Sequence, residues 1–401
     1  MEYIKGKPYF CTCENQIKAY PYLKNNIKCD ILIIGGGIDG AIANYYLSQQ
    51  YNVCLVDKSR LGYGCTACAT ALLEYQLDDF ASDLTKYMSA QDIVTAYKMG
   101  LSSISRLQTL INTLGNNCMF TKRPTFLYTN SILNKNKLQE EYDFRKKHGF
   151  NCTLYTKQNN PFTFPIQMGI YCADGGAELN PYLFTKQMIE NSKNQNQIFE
   201  NTHIANLVKQ TNGYLAITNF GEEIVCKKVL VATGFNWELL HKDNLCERFI
   251  SYSIVTQPIK NFSWYNNALI HDCNKQYHYL RLLPDNRIIY GGEDTKFTGQ
   301  TISDAKANKK YDKLVKDLFK LFPNLANTKI DYKFCGAFGT TNNNMGLIGT
   351  SPTDNNLLYF ISCGANGIIN AISGIDIILD ILQNKQNSLA KIFSPNNTVK
   401  N

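Results

Sequence analysis

Three glycines spaced GxGxxG, at Gly35, Gly37 and Gly40, and an acid at Asp57 are the residues of this chain whose types and spacing point most directly to chemistry. The spacing suits a dinucleotide. The first glycine makes a tight turn, the second lets backbone approach a pyrophosphate, and the third lets helix and strand pack closely. A helix starting there offers free N–H groups and the positive end of its dipole to the phosphates. Asp57 follows Gly40 by seventeen residues, where a Rossmann unit places an acid that accepts hydrogen bonds from a ribose. A second pair, Tyr279 and Arg281 in QYHYLRLLP, is two residues apart in an extended stretch, so phenol and guanidinium share one face of a strand. The histidines offer less: His148, His203, His241, His271 and His278 are scattered and read as surface or packing residues rather than catalysts.

The elements that must position these groups are legible. Ile31 to Ile34 is a short apolar, β-branched run bounded by glycines, which reads as a strand buried on both faces. Ala41 to Gln49 continues as a helix with Ile42, Tyr45 and Tyr46 spaced to pack on a sheet, and Asn52 to Val56 is a second strand ending in Asp57. GxGxxG alone is a weak signal; strand, glycines, helix, second strand and acid in order within one unit supply the context the motif requires. Further on, the small residues Gly62, Gly64, Ala67, Ala69 and Ala71 permit close backbone approach to a ligand, although loop-and-helix packing explains the alanines equally well. Val229 to Ala232 is another buried strand, with a turn at Thr233–Gly234 that returns the chain to the nucleotide unit. Gly364, Asn366 and Gly367 form a glycine-rich turn into a second helix N-terminus.

Between these, helices are expected over 83–114 and 135–148, strands over 119–129 and 151–156, and a helix after Asn180 and Pro181, placed as N-cap and N1 residues would be. Residues 250–294 read as all-β, with Pro284–Asp285–Asn286 as a turn, and Tyr311 to Phe322 as an amphipathic helix ended by Pro323. Residues 1–28 read as an arm lying on the core. The 401 residues allow two or three domains. Hydrophobic content of 44% with 18% charged residues indicates a globular chain. No apolar run reaches transmembrane or signal-peptide length, so a cytoplasmic location is expected. The net charge of +8 comes from lysines dispersed among asparagines, not from a basic stripe with aromatics, so no nucleic-acid partner is expected. Fourteen cysteines, scattered and mostly in apolar strands, read as reduced small hydrophobes. Two pairs stand close, Cys11 with Cys13 and Cys65 with Cys68; the latter has no second CxxC or histidine partner near it, so no metal site is expected.

Taken together, four segments resemble the D-amino-acid oxidase family of FAD-dependent oxidoreductases, which includes glycine oxidase, sarcosine oxidase and glycerol-3-phosphate dehydrogenase. They are IIGGGIDGAIANYYL with Asp57, GCTACATALLEYQLD, VLVATGFNW, and FGTTNNNMGLIG with ISCGANGIINAISG. They occur in family order, and the resemblance covers roughly residues 28–390. It implies an α/β fold: a Rossmann-type FAD-binding domain with a parallel sheet, discontinuous over 29–85, 157–245 and 332–395, and a substrate domain, 86–156 and 246–331, whose large mixed sheet roofs the flavin. The implied FAD contacts are Gly35, Gly37 and Gly40 at the pyrophosphate, Asp57 and Lys58 at the ribose end, and Ile204 near adenine. Gly64, Thr66, Ala69, Thr70, Ala232, Thr233 and Gly234 lie along the cofactor, and Gly364, Asn366, Gly367 and Ile368 at the pyrimidine edge, where a helix dipole stabilises negative charge on a reduced flavin. Two departures stand out. Asn343 and Gly346 replace an aspartate and a proline common in the last motif, and Phe338 stands where glycine oxidase has a carboxylate-binding arginine. The cysteine to which sarcosine oxidase links its flavin corresponds to Gly336, so a non-covalent flavin is expected.

The function so implied is transfer of a hydride from the CH–NH or CH–OH carbon of a small substrate, an amino acid or amine, to flavin N5, with electrons passing on to O2 or a redox partner. The substrate handle is expected at Tyr279 and Arg281, where an arginine could grip an anion bidentately; the alternative is that Arg281 pairs with an acid such as Glu293 or Asp294. The rival class is a flavoprotein subunit or sensor without turnover, whose mark would be a degraded substrate sheet; the strands of 250–294 look intact.

Overall fold

The computed structural model describes residues 4–12, 18–115, 117–235, 245–274, 276–299, 301–364 and 366–396. Trp237 and His241 lie outside these. Two sheets carry the fold. The first has eight strands around a parallel core of Asp354–Ile361, Glu223–Val231, Ile27–Ile34, Val53–Val56 and Ile198–Phe199, in that order. Leu347–Ser351 closes one edge antiparallel, and Gly213–Thr218 with Ile204–Gln210 extends from Glu223–Val231.

Alternate residues of the parallel strands feed two different cores, which is why these strands are apolar throughout rather than alternating. Ile31, Ile33, Val53, Leu55, Leu230 and Phe360 pack with the helices Ile38–Leu47, Pro181–Glu190 and Gly367–Leu382. Leu32, Ile34, Cys54, Val56, Val229 and Tyr359 pack on the opposite side, toward the second sheet. Burying each such aliphatic side chain contributes about 1.5–3 kcal/mol. Asn180 caps the helix Pro181–Glu190 as its sequence suggests, its Oδ1 accepting from Leu183 N at 3.0 Å.

The second sheet has ten strands. Its order is Ile4–Gly6, Ile330–Thr340, Glu247–Thr256, Ile288–Lys296, His278–Leu282, Leu269–Asp272, Thr121–Thr129, Met168–Glu178 and Leu72–Glu74, with Thr153–Thr156 also on Met168–Glu178. All pairs are antiparallel except Leu269–Asp272 with Thr121–Thr129. Helix Asp304–Leu321 covers one face through Tyr311, Leu314 and Leu318; the other faces the parallel sheet.

Several elements differ from expectation. Met168–Glu178 is a long strand beside the edge strand Leu72–Glu74, with no counterpart among the sequence expectations, its pattern being interrupted by Asp174–Gly175–Gly176. Here Gly175 and Gly176 sit against Thr125, where a Cβ would come within 2.6–2.7 Å of its side chain, beside a shift in register. Residues 83–114 form two helices, Ala81–Leu84 and Ala90–Thr113, the second restarted by a Ser89 cap that accepts from Asp92 N. The arm contributes the strand Ile4–Gly6 and buries Phe10. The strands Leu72–Glu74, Met168–Glu178 and Ile330–Thr340, drawn from segments assigned to the cofactor domain in the sequence, join the ten-stranded sheet.

Candidate active site

At the carboxyl ends of the parallel strands, where open α/β sheets hold their ligands, lies a cavity of about 1350 Å³. This exceeds the roughly 300–1,000 Å³ of a drug-sized pocket and leaves room for a dinucleotide beside a small substrate. Its wall includes Ile34, Ala232 and Ile361 from the strand ends and runs beneath the ten-stranded sheet to Tyr279 and His271.

The glycines of the motif are each explained by geometry. Gly35 has φ +108°, and a Cβ there would lie 2.4 Å from the Ala232 carbonyl oxygen. At Gly40 a Cβ would meet the Gly35 carbonyl oxygen at 1.8 Å, so this glycine lets the helix close on the loop and does not itself line the cavity. Gly37, the N-cap of the helix Ile38–Leu47, lines it, and Thr66 Oγ1 accepts from the next backbone N–H, of Ile38, at 3.0 Å. Asp57 ties the loop together: its carboxylate accepts from Gly36 N at 2.7 Å and from Ser59 N at 2.8 Å. Burial raises the Asp57 carboxyl above the ordinary value, while these bonds pull the other way.

The remaining cofactor candidates, from Lys58 and Gly64 through Ile204 and the Ala232–Gly234 turn to the Gly364–Ile368 turn, come from segments far apart in sequence and line this one cavity. Two features suit a bound FAD. Thr233 Oγ1 is buried without a hydrogen-bond partner among the described residues, and helix Gly367–Leu382 begins at the cavity wall with Gly367 and Ile368. Cys65 and Cys68 lie in the short helix after Gly64, their thiols donating to the carbonyls of Ala337 at 2.7 Å and Cys335 at 3.6 Å. Burial pushes the Cys65 thiol up to about 12 and that of Cys68 well above the ordinary value, so both remain thiols at neutral pH.

Tyr279 lines the cavity, its hydroxyl 2.9 Å from Ser251 Oγ, and burial pushes its phenol up to about 12. Gly291 opposite makes room for it: a Cβ there would lie 2.5 Å from the ring. Arg281 shares Tyr279's face, as the spacing requires, but lies outside the cavity wall. Its guanidinium donates to the Leu179 carbonyl at 2.9 Å, sits 3.5 Å from Glu178 and stacks over Phe10 of the arm. Burial lowers its pKa to about 10 despite Glu178. The acid it pairs with is thus Glu178, on the strand Met168–Glu178, and the anion grip expected of Arg281 has no opening to the cavity. Sequence reasoning passed over His271, which lines the cavity opposite Tyr279 with Nδ1 3.0 Å from Glu74 Oε2. No motif marks it; only the strand register brings it there.

Comparison with known proteins agrees with this geometry. The FAD dependent oxidoreductase (DAO) family matches residues 30–375. A probable oxidoreductase of Haemophilus influenzae is 22% identical over 86% of this chain and 80% of its own, and the gamma-glutamylputrescine oxidoreductase of Escherichia coli 21% over 90% and 85%. The crystal structure of glycine oxidase from Geobacillus kaustophilus superposes with a TM-score of 0.79 at 16% identity, covering 93% of this chain and 100% of that one. L-proline dehydrogenase from P. horikoshii gives 0.76 at 17% identity over 92% and 97%.

Proposed function

Because the chain belongs to the FAD dependent oxidoreductase (DAO) family, we propose that it oxidises the carbon next to nitrogen in a small amine or amino acid. Bound FAD supplies the acceptor for the hydride and its two electrons, which then pass to O2 or a redox partner. The reading is carried by one observation: a single cavity runs from the glycine cradle to a polar chamber under the ten-stranded sheet, lined by Tyr279 and His271 from opposed positions on paired strands. In it, Gly35 and Gly37 would admit the pyrophosphate, Asp57 the ribose, and the Gly364–Ile368 turn the flavin's pyrimidine edge. The chain's own share of the work is to orient the substrate by the Tyr279 hydroxyl, to exclude water by the apolar wall that includes Leu127 and Leu73, and to hold the flavin against that chamber.

The experiment is anaerobic mixing of the FAD-loaded protein with primary and secondary amines, amino acids and glycerol phosphate, read as bleaching of the flavin absorbance. Bleaching by an amine or amino acid is expected. Bleaching by glycerol phosphate alone would move the reaction to CH–OH chemistry.

A further inference from the structure

A row of directly opposed residues crosses the ten-stranded sheet above the cavity: Ser253, Gly291, Tyr279, His271 and Leu127. Directly opposed residues share a face, with Cβ atoms about 4.5–5.5 Å apart. His271 and Tyr279 therefore project from the same face on paired strands, and both line the cavity. Glu74, from the edge strand Leu72–Glu74, holds the ring from behind, its Oε2 lying 3.0 Å from Nδ1. Glu74 is itself held: Oε2 also accepts from Gln76 Nε2 at 2.9 Å, and Oε1 is buried without a partner. Among the described residues nothing hydrogen-bonds His271 Nε2. A carboxylate on Nδ1 selects the tautomer protonated there and leaves Nε2 a lone pair.

The charges facing His271 are those of Glu74, Asp78 and Arg145, with the Tyr279 phenol across the strand pair. Arg145 is already bonded to Glu141 at 2.7 Å and to the Tyr75 hydroxyl at 3.2 Å, and Lys137 is paired with Asp83 at 2.5 Å. Asp78 and Asp79 line the same stretch of wall. Among the described residues there, each lysine and arginine thus has its acid, and the balance around His271 favours a cationic ligand over a carboxylate. Burial lowers the proton affinity of the His271 ring, but the charge and hydrogen bond of Glu74, with Asp78, more than reverse this, so its pKa is raised above the ordinary histidine value.

We propose that His271, backed by Glu74, is the catalytic base that takes the proton of an ammonium substrate, and that the substrates are alkyl amines rather than amino acids held by their carboxylates. This rests on the reading under Proposed function. In the step, one N–H bond of the ammonium breaks, the proton goes to Nε2, and the electron pair stays on nitrogen. That pair forms the C=N bond as the adjacent carbon loses its hydride to the bound cofactor. The imidazolium left behind faces Glu74, which stabilises it.

The test uses the FAD-loaded protein and two probes of one shape. tert-Butylamine has no hydrogen on the carbon bearing nitrogen and so binds without reacting; pivalate is its carboxylate counterpart. Perturbation of the flavin spectrum between pH 6 and 9 should show tert-butylammonium binding about tenfold tighter once His271 has lost its charge, with pivalate the weaker ligand at pH 8 and following the opposite trend. His271→Gln should flatten both trends at unchanged FAD content and slow anaerobic bleaching by butylamine at pH 8 by about 100-fold or more. Glu74→Gln should move the rising limb of the bleaching rate to lower pH, and it carries the test if His271→Gln does not fold. Tighter pivalate binding at pH 8, or a His271→Gln enzyme with the wild-type pH limb, overturns the proposal. Bleaching by amino acids with that limb retained sinks the base alone and leaves the oxidation of CH–NH carbons standing; bleaching by glycerol phosphate alone sinks both.

Discussion

Asp39 occupies one of the variable places of the glycine motif, in the first turn of helix Ile38–Leu47, buried and lining the cavity where the pyrophosphate would lie. Its carboxylate accepts from Ser362 N at 3.0 Å and from the Ser362 hydroxyl. Burial pushes the carboxyl up from 3.8 to about 6, although both Ser362 bonds oppose the shift. A folded-state pKa above the unfolded one means that the native protein holds the proton longer, so stability falls as pH rises from about 4 to 6 and stays reduced above. At about 1.36 kcal/mol per pKa unit the cost is about 3 kcal/mol at pH 8 and roughly half of that at pH 5. The helix dipole favours a charge at this place by only about 0.3–1 kcal/mol, too little to reverse the sign. Asp39→Asn keeps the shape, can accept from Ser362 N and can donate to the Ser362 hydroxyl. Urea denaturation of the FAD-free protein should find the variant more stable, with an advantage about twice as large at pH 8 as at pH 5. FAD should also bind the variant more tightly at pH 8, because no ionised carboxylate then faces the pyrophosphate. An advantage that does not change with pH, or a variant less stable at pH 8, would refute the reasoning.

Arg281→Met should lower stability by about 1.5–3 kcal/mol, since hydrogen bonds to a buried charged group are lost, while KM for the substrate stays unchanged; a raised KM at unaltered thermal midpoint would return Arg281 to the substrate site. Gly40→Ala should abolish FAD binding or folding, because the added carbon would lie 1.8 Å from a carbonyl oxygen, and recovery of a fully flavin-loaded variant would contradict this. Replacing Cys65 and Cys68 together with serine should leave FAD content and bleaching rate within about twofold of wild type, as both are half-buried, protonated thiols bonded to carbonyls. Acid precipitation should release the flavin into the supernatant: Gly336 offers no sulfur, and Cys335 is packed into the core; flavin remaining with the pellet would reveal a covalent link.

The contrast between the two halves of the site shows which physical constraints write themselves into a sequence. The dinucleotide cradle was legible because backbone geometry dictates residue type there: Gly35 must take φ +108° and Gly40 must abut a carbonyl, so their spacing within the local strand–helix–strand unit identifies them. The parallel strands were legible for a similar reason, burial on both faces leaving apolar runs such as Ile31–Ile34. The chamber is built from long-range register instead. His271 comes to lie opposite Tyr279 and against Glu74 only because Leu269–Asp272 pairs with His278–Leu282, and because Leu72–Glu74 joins the far edge of the same sheet through Met168–Glu178, a strand whose pattern is interrupted by Asp174–Gly175–Gly176. Arg281 shows the converse. Two-residue spacing correctly put it on Tyr279's face, yet whether that face opens to a cavity at its position was decided by Phe10, from an arm with no period of its own, and by Glu178, about one hundred residues away. Residue spacing sets the direction of a side chain; what stands in that direction is a property of the whole sheet, and it separates a candidate base from a buried ion pair.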